Sequence, residues 1–480
     1  MTQPTARAAS ATTPIHEQIY ARFRSMIEQG QLSPGQKVSS LRALATELGV
    51  ARGTVQVAYD RLLGEGYLVA RGPAGTFVSE HTAPAKRARA KRAPASARLL
   101  PGSDAPDTFI EMDGGHPAPL QMGLPALDEF PRKLWARLMA RQVRKAGSLN
   151  RPAPAGYMPL REALAAYLHR SRGIDAHASQ VFVVPAYTAS LALAVDALGL
   201  ARDSAWVEHP GYPHTAQTLT QIGLRTCDVR VDEQGVDVGF GRTHFPNARL
   251  AVVTPSHQSP TGVALPLQRR VDLLDWAVQH DAWIVEDDYD GEYRYRGHPL
   301  PALKSMDSYG RVIYCGTLSK VLFPGLRLSY VVVAPGLVPQ FELACRRSVH
   351  GGCPELMQAV VADFISEGHF ARHIKRMRTL YARRRALLAE ALAPYAADGF
   401  VVHLQDGGMH LLVDVRDDLD DVVLAHRARA AGFAVHSLTA WRNGAPGRRG
   451  LMMGFTNLRN REEAAQQVAG LMRAFELHAR

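Results

Sequence analysis

Lys320 closes the run Gly316-Thr317-Leu318-Ser319-Lys320, directly after the apolar stretch Val312-Ile313-Tyr314, and Arg327 follows seven residues later. A lysine amine at the end of a strand is placed to form a Schiff base with an aldehyde. Hydroxyls just before it and an arginine just after it supply what a phosphate needs, neutral donors and a bidentate cation. A phosphorylated aldehyde such as pyridoxal 5'-phosphate meets all of these groups at once. Its pyridine ring calls for a carboxylate in the same crevice, to keep the ring nitrogen protonated, and for an aromatic side chain against its face. Three further segments offer such residues: EHPGYP at 208–213, TPSHQSPTG at 254–262 and EDDYDGEY at 286–293. Taken singly, each residue has an ordinary reading, since a lone lysine is usually a surface charge, an aspartate can cap a helix and a tyrosine can be core. Four such segments in one chain argue for one site.

For these segments to meet, each must lie at the same end of a sheet. The runs VFVV (181–184), AWV (205–207), LAVV (250–253), AWIV (282–285), VIY (312–314) and YVVV (330–333) read as buried strands. Helical spacing between several of them, as over 190–200 and 267–280, marks an α/β unit with a largely parallel sheet. Ligand sites in such sheets lie outside the carboxyl ends of the strands. The C-terminal part of the chain reads as a smaller α+β lobe.

Of 480 residues, 46% are hydrophobic and 21% charged, which excludes wholesale disorder and allows several domains. The net charge is +11, unevenly spread. Residues 81–98, HTAPAKRARAKRAPASAR, hold six Lys/Arg, no acid and no large apolar side chain. Such a stretch cannot bury enough surface to offset ordering, and a flexible basic linker is expected over 81–108. It separates a unit at 12–80 from a unit at 109–480. No run of 18 apolar residues spans a membrane, and the N-terminus lacks the apolar region of a secretory signal. The cysteines (Cys227, Cys315, Cys345, Cys353) form no CxxC pair. A reduced cytoplasmic protein with no metal site is expected.

The N-terminal unit reads helix, helix, helix, hairpin. Ile15, Ile19, Phe23, Met26 and Ile27 recur at helical spacing. Ser39-Ser40 can cap a second helix that Gly49 ends, and a third runs over about 52–63. Tyr67-Leu68-Val69 and Thr76-Phe77-Val78 form a hairpin across Arg71-Gly72-Pro73-Ala74-Gly75. This order describes a winged helix-turn-helix, and the segment closely resembles the GntR-type DNA-binding domain over residues 14–80. The resemblance implies that Arg52, Thr54 and Gln56 face the major groove. It also implies that Arg42 approaches a base edge or phosphate, and that Arg71 and Gly72 at the wing tip reach the minor groove. Ser39 stands where the family usually has proline.

The larger unit resembles the fold-type I aminotransferases over about residues 109–480. The combination with a GntR-type domain matches the MocR/GabR-like subfamily. Lys320 then matches the Schiff-base lysine, Asp287 the partner of the pyridine nitrogen, Tyr289 the donor to the ring phenolate oxygen and Tyr212 the stacking residue. Thr317, Ser319 and Arg327 match the phosphate group. Several positions depart from the family pattern. Ser259 stands in place of the usual Asn, and Ala186-Tyr187-Thr188 in place of a Gly-Ala-Gln turn, with Thr188 adding a hydroxyl. Arg151 replaces the tyrosine that reaches the partner subunit's phosphate. In LMMGF (451–455) Met452 occupies the place of the arginine that holds a substrate carboxylate. Arg442, Arg448 or Arg449 can substitute from the adjacent loop. His214 and His410 are further candidates for effector contact, and His410 is equally open to a structural role.

The resemblance implies a pyridoxal-phosphate-dependent transcription regulator that binds operator DNA as a homodimer and senses a small amine or pyridoxal phosphate itself. A working aminotransferase with an appended DNA-binding domain is the alternative. Ser259 and Met452 speak against the alternative.

Overall fold

The computed structural model describes residues 14–80, 117–145, 152–297, 301–348, 352–442 and 445–476. The chain divides into two compact units, Met1–Ser103 and Asp104–Arg480. The expected linker at 81–108 lies outside the described residues.

In the first unit, helices α1 (Ile15–Glu28), α2 (Leu41–Leu48) and α3 (Arg52–Gly64) precede the strands β1 (Leu68–Ala70) and β2 (Thr76–Val78). The Ser40 hydroxyl accepts from the Ala43 amide, and Gly49 ends α2 in the left-handed region at φ 64°, as a cap and stop at those residues require. The hairpin pairs Leu68 with Val78. Ile19, Phe23, Ile27, Leu44, Val55, Leu62, Leu68 and Val78 close one core. Ile15 continues the apolar stripe in sequence but stands at the first residue of α1 and is 53% exposed.

The second unit begins with α4 (Arg132–Val143) and α5 (Met158–Arg172). An alternation follows: β3 (Val181–Val184), α6 (Tyr187–Leu198), β4 (Ser204–His209), α7 (Pro213–Gln221), β5 (Arg225–Asp232), β6 (Gly235–Val236), α8 (Val238–His244), β7 (Leu250–Val253), α9 (Leu267–Gln279), β8 (Trp283–Asp288), β9 (Val312–Thr317) and β10 (Ser329–Val332). These strands form one sheet in the order β3-β10-β9-β8-β7-β4-β5-β6. Strands β9, β8, β7, β4 and β5 are mutually parallel. β10 runs antiparallel between β9 and β3, so β3 points the same way as the parallel set. The sheet is mixed and mostly parallel, as its apolar runs predict.

The apolar runs are buried on both faces: β3, β7 and β10 have no exposed residue. Helices supply the cover, with Leu160, Leu164 and Val360 packed on one face and Leu191, Ala194 and Phe341 on the other. β5 is absent from the expected strands because it lies near the sheet edge. Its sequence RTCDVRVD alternates polar and apolar residues, and only Val229 in it is buried. The helix expected over 190–200 begins three residues earlier, at Tyr187. This makes Ala186-Tyr187-Thr188 a helix N-terminus.

After α10 (Val338–Arg347), α11 (Glu355–Ser366) and α12 (His369–Leu392), the chain builds a lobe from β11 (Phe400–Val402), β12 (His410–Val415), α13 (Asp421–Ala430), β13 (His436–Ser437), β14 (Gly450–Gly454) and α14 (Arg461–Ala474). Its strands are antiparallel in the order β11-β12-β14-β13. Their inner face packs Leu411, Val413, Leu451 and Met453 against Tyr381 and Leu388 of α12 and Leu471 of α14. Among the described residues no helix is long and apolar enough to cross a membrane.

Gly316 pairs with Tyr330 across β9 and β10. A Cβ at Gly316 would stand 2.3 Å from Tyr330 Cζ, and Tyr330 is buried. Gly316→Ala therefore forces the ring or the strand to move, which should destabilise the large unit by about 1–3 kcal/mol. Urea unfolding followed by tryptophan fluorescence measures this; an unchanged midpoint would mean that the ring swings aside freely.

Candidate functional site

The strands of common direction bring their carboxyl ends to one edge. There β3 leads into Ala186-Tyr187-Thr188, β4 into Tyr212, β7 into the segment 254–262, β8 ends through Asp287, and β9 leads into Lys320. A cavity of about 440 Å³ opens at this edge. Its wall includes Lys320, Asp287, Tyr289, Tyr212 and Ser259. Thr188, Thr317, Ser319, Arg327, His214 and His410 also line it. All of the expected cofactor residues within the described structure thus share one cavity; Arg151 lies outside the described residues.

Lys320 Nζ donates to the Gly123 carbonyl at 2.9 Å. Gly123 has φ 76°, and a Cβ there would stand 2.6 Å from that Nζ, so the glycine leaves the space the amine fills. Burial lowers the Lys320 pKa, while Asp290 and Asp287 hold it up. A lowered pKa gives the amine a larger neutral, nucleophilic fraction.

The acidic run 286–288 divides by the alternation of a strand. Glu286 accepts from the Leu303 and Lys304 amides, each at 2.8 Å. Asp288 pairs with Arg172 at 2.5 Å and accepts from the Tyr314 hydroxyl at 2.6 Å. Asp287, between them, is 8% exposed and lines the cavity. Burial, then Asp288, Asp290 and Glu208, push its carboxyl pKa well up, against the pull of Lys320. Among the described residues it makes no ion pair, so a cation brought into the cavity would favour its charged form.

Tyr289 holds its hydroxyl 2.9 Å from His257 Nδ1, and Ser259 lines the same cavity. His257 Nδ1 lies 3.1 Å from Asp290 Oδ2. Tyr212 stands 5.1 Å from the His214 ring, 5.8 Å from Trp441 and 6.2 Å from Tyr187, ring centre to ring centre.

On the opposite requirement, the anion, Arg327 lines the cavity and makes no ion pair with another described residue. It sits at φ 51°, a left-handed conformation that costs a non-glycine residue some strain. The Ser329 hydroxyl donates to Thr317 Oγ1 at 3.1 Å. The first turn of α6 has no side-chain cap at Ala186, so its amides are open to an anion. An amine, a buried carboxyl, a tyrosine donor, an aromatic face and an anion cradle in one cavity fit the chemical groups of pyridoxal 5'-phosphate.

Arg442 does not join them. Its guanidinium donates to the Arg448 carbonyl at 2.7 Å and to the Pro446 carbonyl. Arg448 pairs with Asp414 at 2.6 Å, and Arg449 donates to the carbonyls of Asp417 and Leu419. Met452 is fully buried, packed with Leu412, Leu438 and Trp441. The sequence reading missed Trp441, Tyr187 and His257. The first lies in a short turn far along the chain with no flanking motif. The other two stand inside noted segments but one or more residues from the positions that carry the resemblance.

In the first unit, Arg42 and Arg52 are exposed and make no ion pair with described residues. Thr54 and Gln56 are half-buried, and Gln56 donates to Asp60 at 2.8 Å. Arg71 pairs with Glu80 at 2.7 Å and stacks 5.1 Å from the Phe77 ring. Both partners of that pair are exposed, so a phosphate can displace Glu80 at little cost. Gly72 takes φ 57° at the wing tip.

His410 hydrogen-bonds the Pro260 carbonyl at 3.0 Å and is pushed down to about 4, first by burial and then by His257. A histidine depressed in the folded state contributes stability that is present above its ordinary value near 6.5 and lost as pH falls toward 4. His410→Gln should remove about 2–3 kcal/mol of that acid loss. Urea midpoints of the large unit at pH 7 and pH 4.5 measure it. A variant that weakens as steeply as wild type would assign the loss to other groups.

Comparison with known proteins places this geometry. Residues 15–78 match the gntR family of bacterial regulatory proteins, and residues 127–440 match aminotransferase class I and II. The chain is 36% identical over 453 residues to the probable rhizopine catabolism regulatory protein MocR of Rhizobium meliloti, covering 93% of this chain and 91% of that protein. It is 32% identical to the pyridoxine biosynthesis transcriptional regulator PdxR of Corynebacterium glutamicum, covering 92% of each. Among solved structures, kynurenine aminotransferase of Pyrococcus horikoshii, in complex with PMP, superposes with a TM-score of 0.66 at 26% identity, over 75% of this chain and 90% of that one. The α-aminoadipate aminotransferase LysN of Thermus thermophilus, complexed with N-(5'-phosphopyridoxyl)-L-leucine, gives 0.66 at 26%, over 75% and 92%. The chain belongs to the MocR/GabR type of GntR transcription regulators, in which a winged helix-turn-helix precedes an aminotransferase class I and II domain.

Proposed function

We propose that this regulator binds operator DNA through its first unit and pyridoxal 5'-phosphate through its second, and that a small amine or the cofactor itself is the signal. The observation that carries the reading is the placement of Lys320 and Asp287 in one cavity with Arg327. Lys320 is the amine for the aldehyde, Asp287 faces the ring nitrogen, Tyr289 and Ser259 the phenolate oxygen, and Tyr212 the ring face. Thr188, Thr317, Ser319, Arg327 and the amides of α6 hold the phosphate. When bound, the cofactor supplies an aldehyde that links to amines and a protonated ring that withdraws electrons. The related aminotransferases solved with PMP and with a phosphopyridoxyl adduct support the choice of ligand. The likeness to PdxR, a regulator of pyridoxine biosynthesis, supports a vitamin B6 signal.

A cytoplasmic homodimer, paired through the aminotransferase-like domains, would present two winged domains to two half-sites. Signal and DNA then share a coupling free energy, and each changes the affinity for the other by the same factor. Turnover as an aminotransferase is the second reading, favoured by the complete Lys320, Asp287 and Tyr289 set. Multiple-turnover transfer of an amino group between any amino acid and a keto acid would establish it.

The protein mixed with pyridoxal phosphate should develop an absorbance band at about 400–430 nm that Lys320→Ala abolishes. Asp287→Asn should weaken cofactor binding and shift the band, because an amide does not hold a protonated ring nitrogen. An Asp287→Asn protein with wild-type affinity and spectrum would remove Asp287 from that role.

On the DNA side, log K should fall steeply with log salt. Arg52→Ala should cost about 1–3 kcal/mol and relax preference at one base pair. Footprinting upstream of the gene, with and without pyridoxal phosphate, supplies the operator for both measurements. Unchanged affinity in Arg52→Ala would strike Arg52 from the contacts.

A further inference from the structure

Next to Tyr289 stands a buried pair that the proposed function leaves unused, His257 and Asp290. Asp290 is 1% exposed and His257 8%. The Cε1–Nε2 edge of the imidazole is confined by two glycines. A Cβ on Gly408 would stand 2.3 Å from Cε1, and one on Gly262 3.0 Å from Nε2. Both glycines take positive φ, 93° and 77°, so the backbone that frames the ring admits no larger residue there. The His410 ring lies 5.9 Å away and, with its pKa pushed down to about 4, stays neutral near pH 7.

The other edge of the imidazole carries the chemistry. Nδ1 meets two groups, the Tyr289 hydroxyl oxygen at 2.9 Å and Asp290 Oδ2 at 3.1 Å. The first contact has the geometry of a hydrogen bond. The second is a charge contact beside it, and Asp290 Oδ2 has no hydrogen-bond partner among the described residues. A bare Nδ1 would turn its lone pair on that carboxylate oxygen, whereas a protonated Nδ1 is attracted by it. The Nδ1 proton then goes to the Tyr289 oxygen, and the hydroxyl proton of Tyr289 is left for another acceptor. Burial, then Asp290 and Asp287, push the Tyr289 pKa well up, so the hydroxyl keeps that proton.

We propose that His257, oriented by Asp290, is a positioning residue of the cofactor site: it donates from Nδ1 to the Tyr289 oxygen and so turns the Tyr289 hydroxyl proton toward the ring oxygen of the cofactor. The inference rests on the proposed function, in which Tyr289 faces that oxygen.

Pyridoxamine 5'-phosphate and its 3-deoxy analogue, which lacks the ring oxygen, test it without a covalent link to Lys320. Each is titrated by calorimetry into the full-length protein. His257→Phe should weaken pyridoxamine phosphate about three- to tenfold, the loss of one hydrogen bond, and should leave affinity for the 3-deoxy analogue unchanged. His257→Asn, whose amide nitrogen can stand in for Nδ1, should restore most of the loss. Asp290→Asn removes the charge that holds the proton on Nδ1 and should show the same selective weakening, which serves if His257→Phe does not fold. Equal weakening of both ligands would make the pair a packing feature, and unchanged affinity for pyridoxamine phosphate would remove it from the site. Either result overturns the inference and leaves the proposed function in place. A wild-type protein that takes up neither pyridoxal phosphate nor its amine overturns both.

Discussion

Lys320 and Asp287 come from adjacent parallel strands, β9 and β8, and both lose water at the same edge of the sheet. Removing an amine and a carboxylate from water is unfavourable for each charged form. The folded protein shows this as opposite shifts, down for the lysine and up for the aspartate, each opposed by the charge of the other. The cofactor of the proposed function would bring an electrophilic carbon to one and a cation to the other. The rest of the large unit serves to hold these two groups in place. Gly316 lets β9 pass under Tyr330, Gly123 makes room for the amine, and Arg172 ties down the acid beside Asp287.

That last contact explains why three consecutive acids do not compete for one role. Glu286 and Asp288 point together to one side of β8, where backbone amides, Arg172 and Tyr314 satisfy them. They are structural acids, and the charge of Asp288 raises the Asp287 pKa further. The cavity carboxyl is thus tuned by a neighbour that never reaches the ligand.

A similar division separates the arginines. An aminotransferase that processes amino acids needs a free guanidinium at the substrate end. Here Arg442, Arg448 and Arg449 are consumed by the lobe's own loop and strand edge. Met452, opposite Leu412 in the β12–β14 register, is fully buried beside Trp441. Among the described residues the cavity keeps Lys320, Asp287 and Arg327 on its wall, and these three arginines do not line it. Binding in such a cavity reaches the DNA only through differential affinity between two states of the regulator.

Much of the protein is legible in its residues alone. The strands of the sheet are short apolar runs because both faces are covered. The segments that follow them carry telling residue types in sequence, and the resemblance to the aminotransferases singles out Lys320, Asp287, Tyr289, Tyr212 and Arg327 without coordinates. The same holds for the helices, caps and hairpin of the first unit, which are set by neighbours in sequence. β5 was illegible because a strand near the sheet edge needs no continuous apolar run. Only the tertiary structure decided which groups are spent and which are open. The phase of β8 is set by packing, and it alone turns Asp287 rather than its neighbours toward the cavity. Trp441 and Gly123 reach the site from the far ends of the unit. Arg442 looks like an effector contact in sequence and is occupied by loop carbonyls in the fold. Local spacing determines what chemistry a segment can offer; burial and long-range contact determine which of those offers remains available to a ligand.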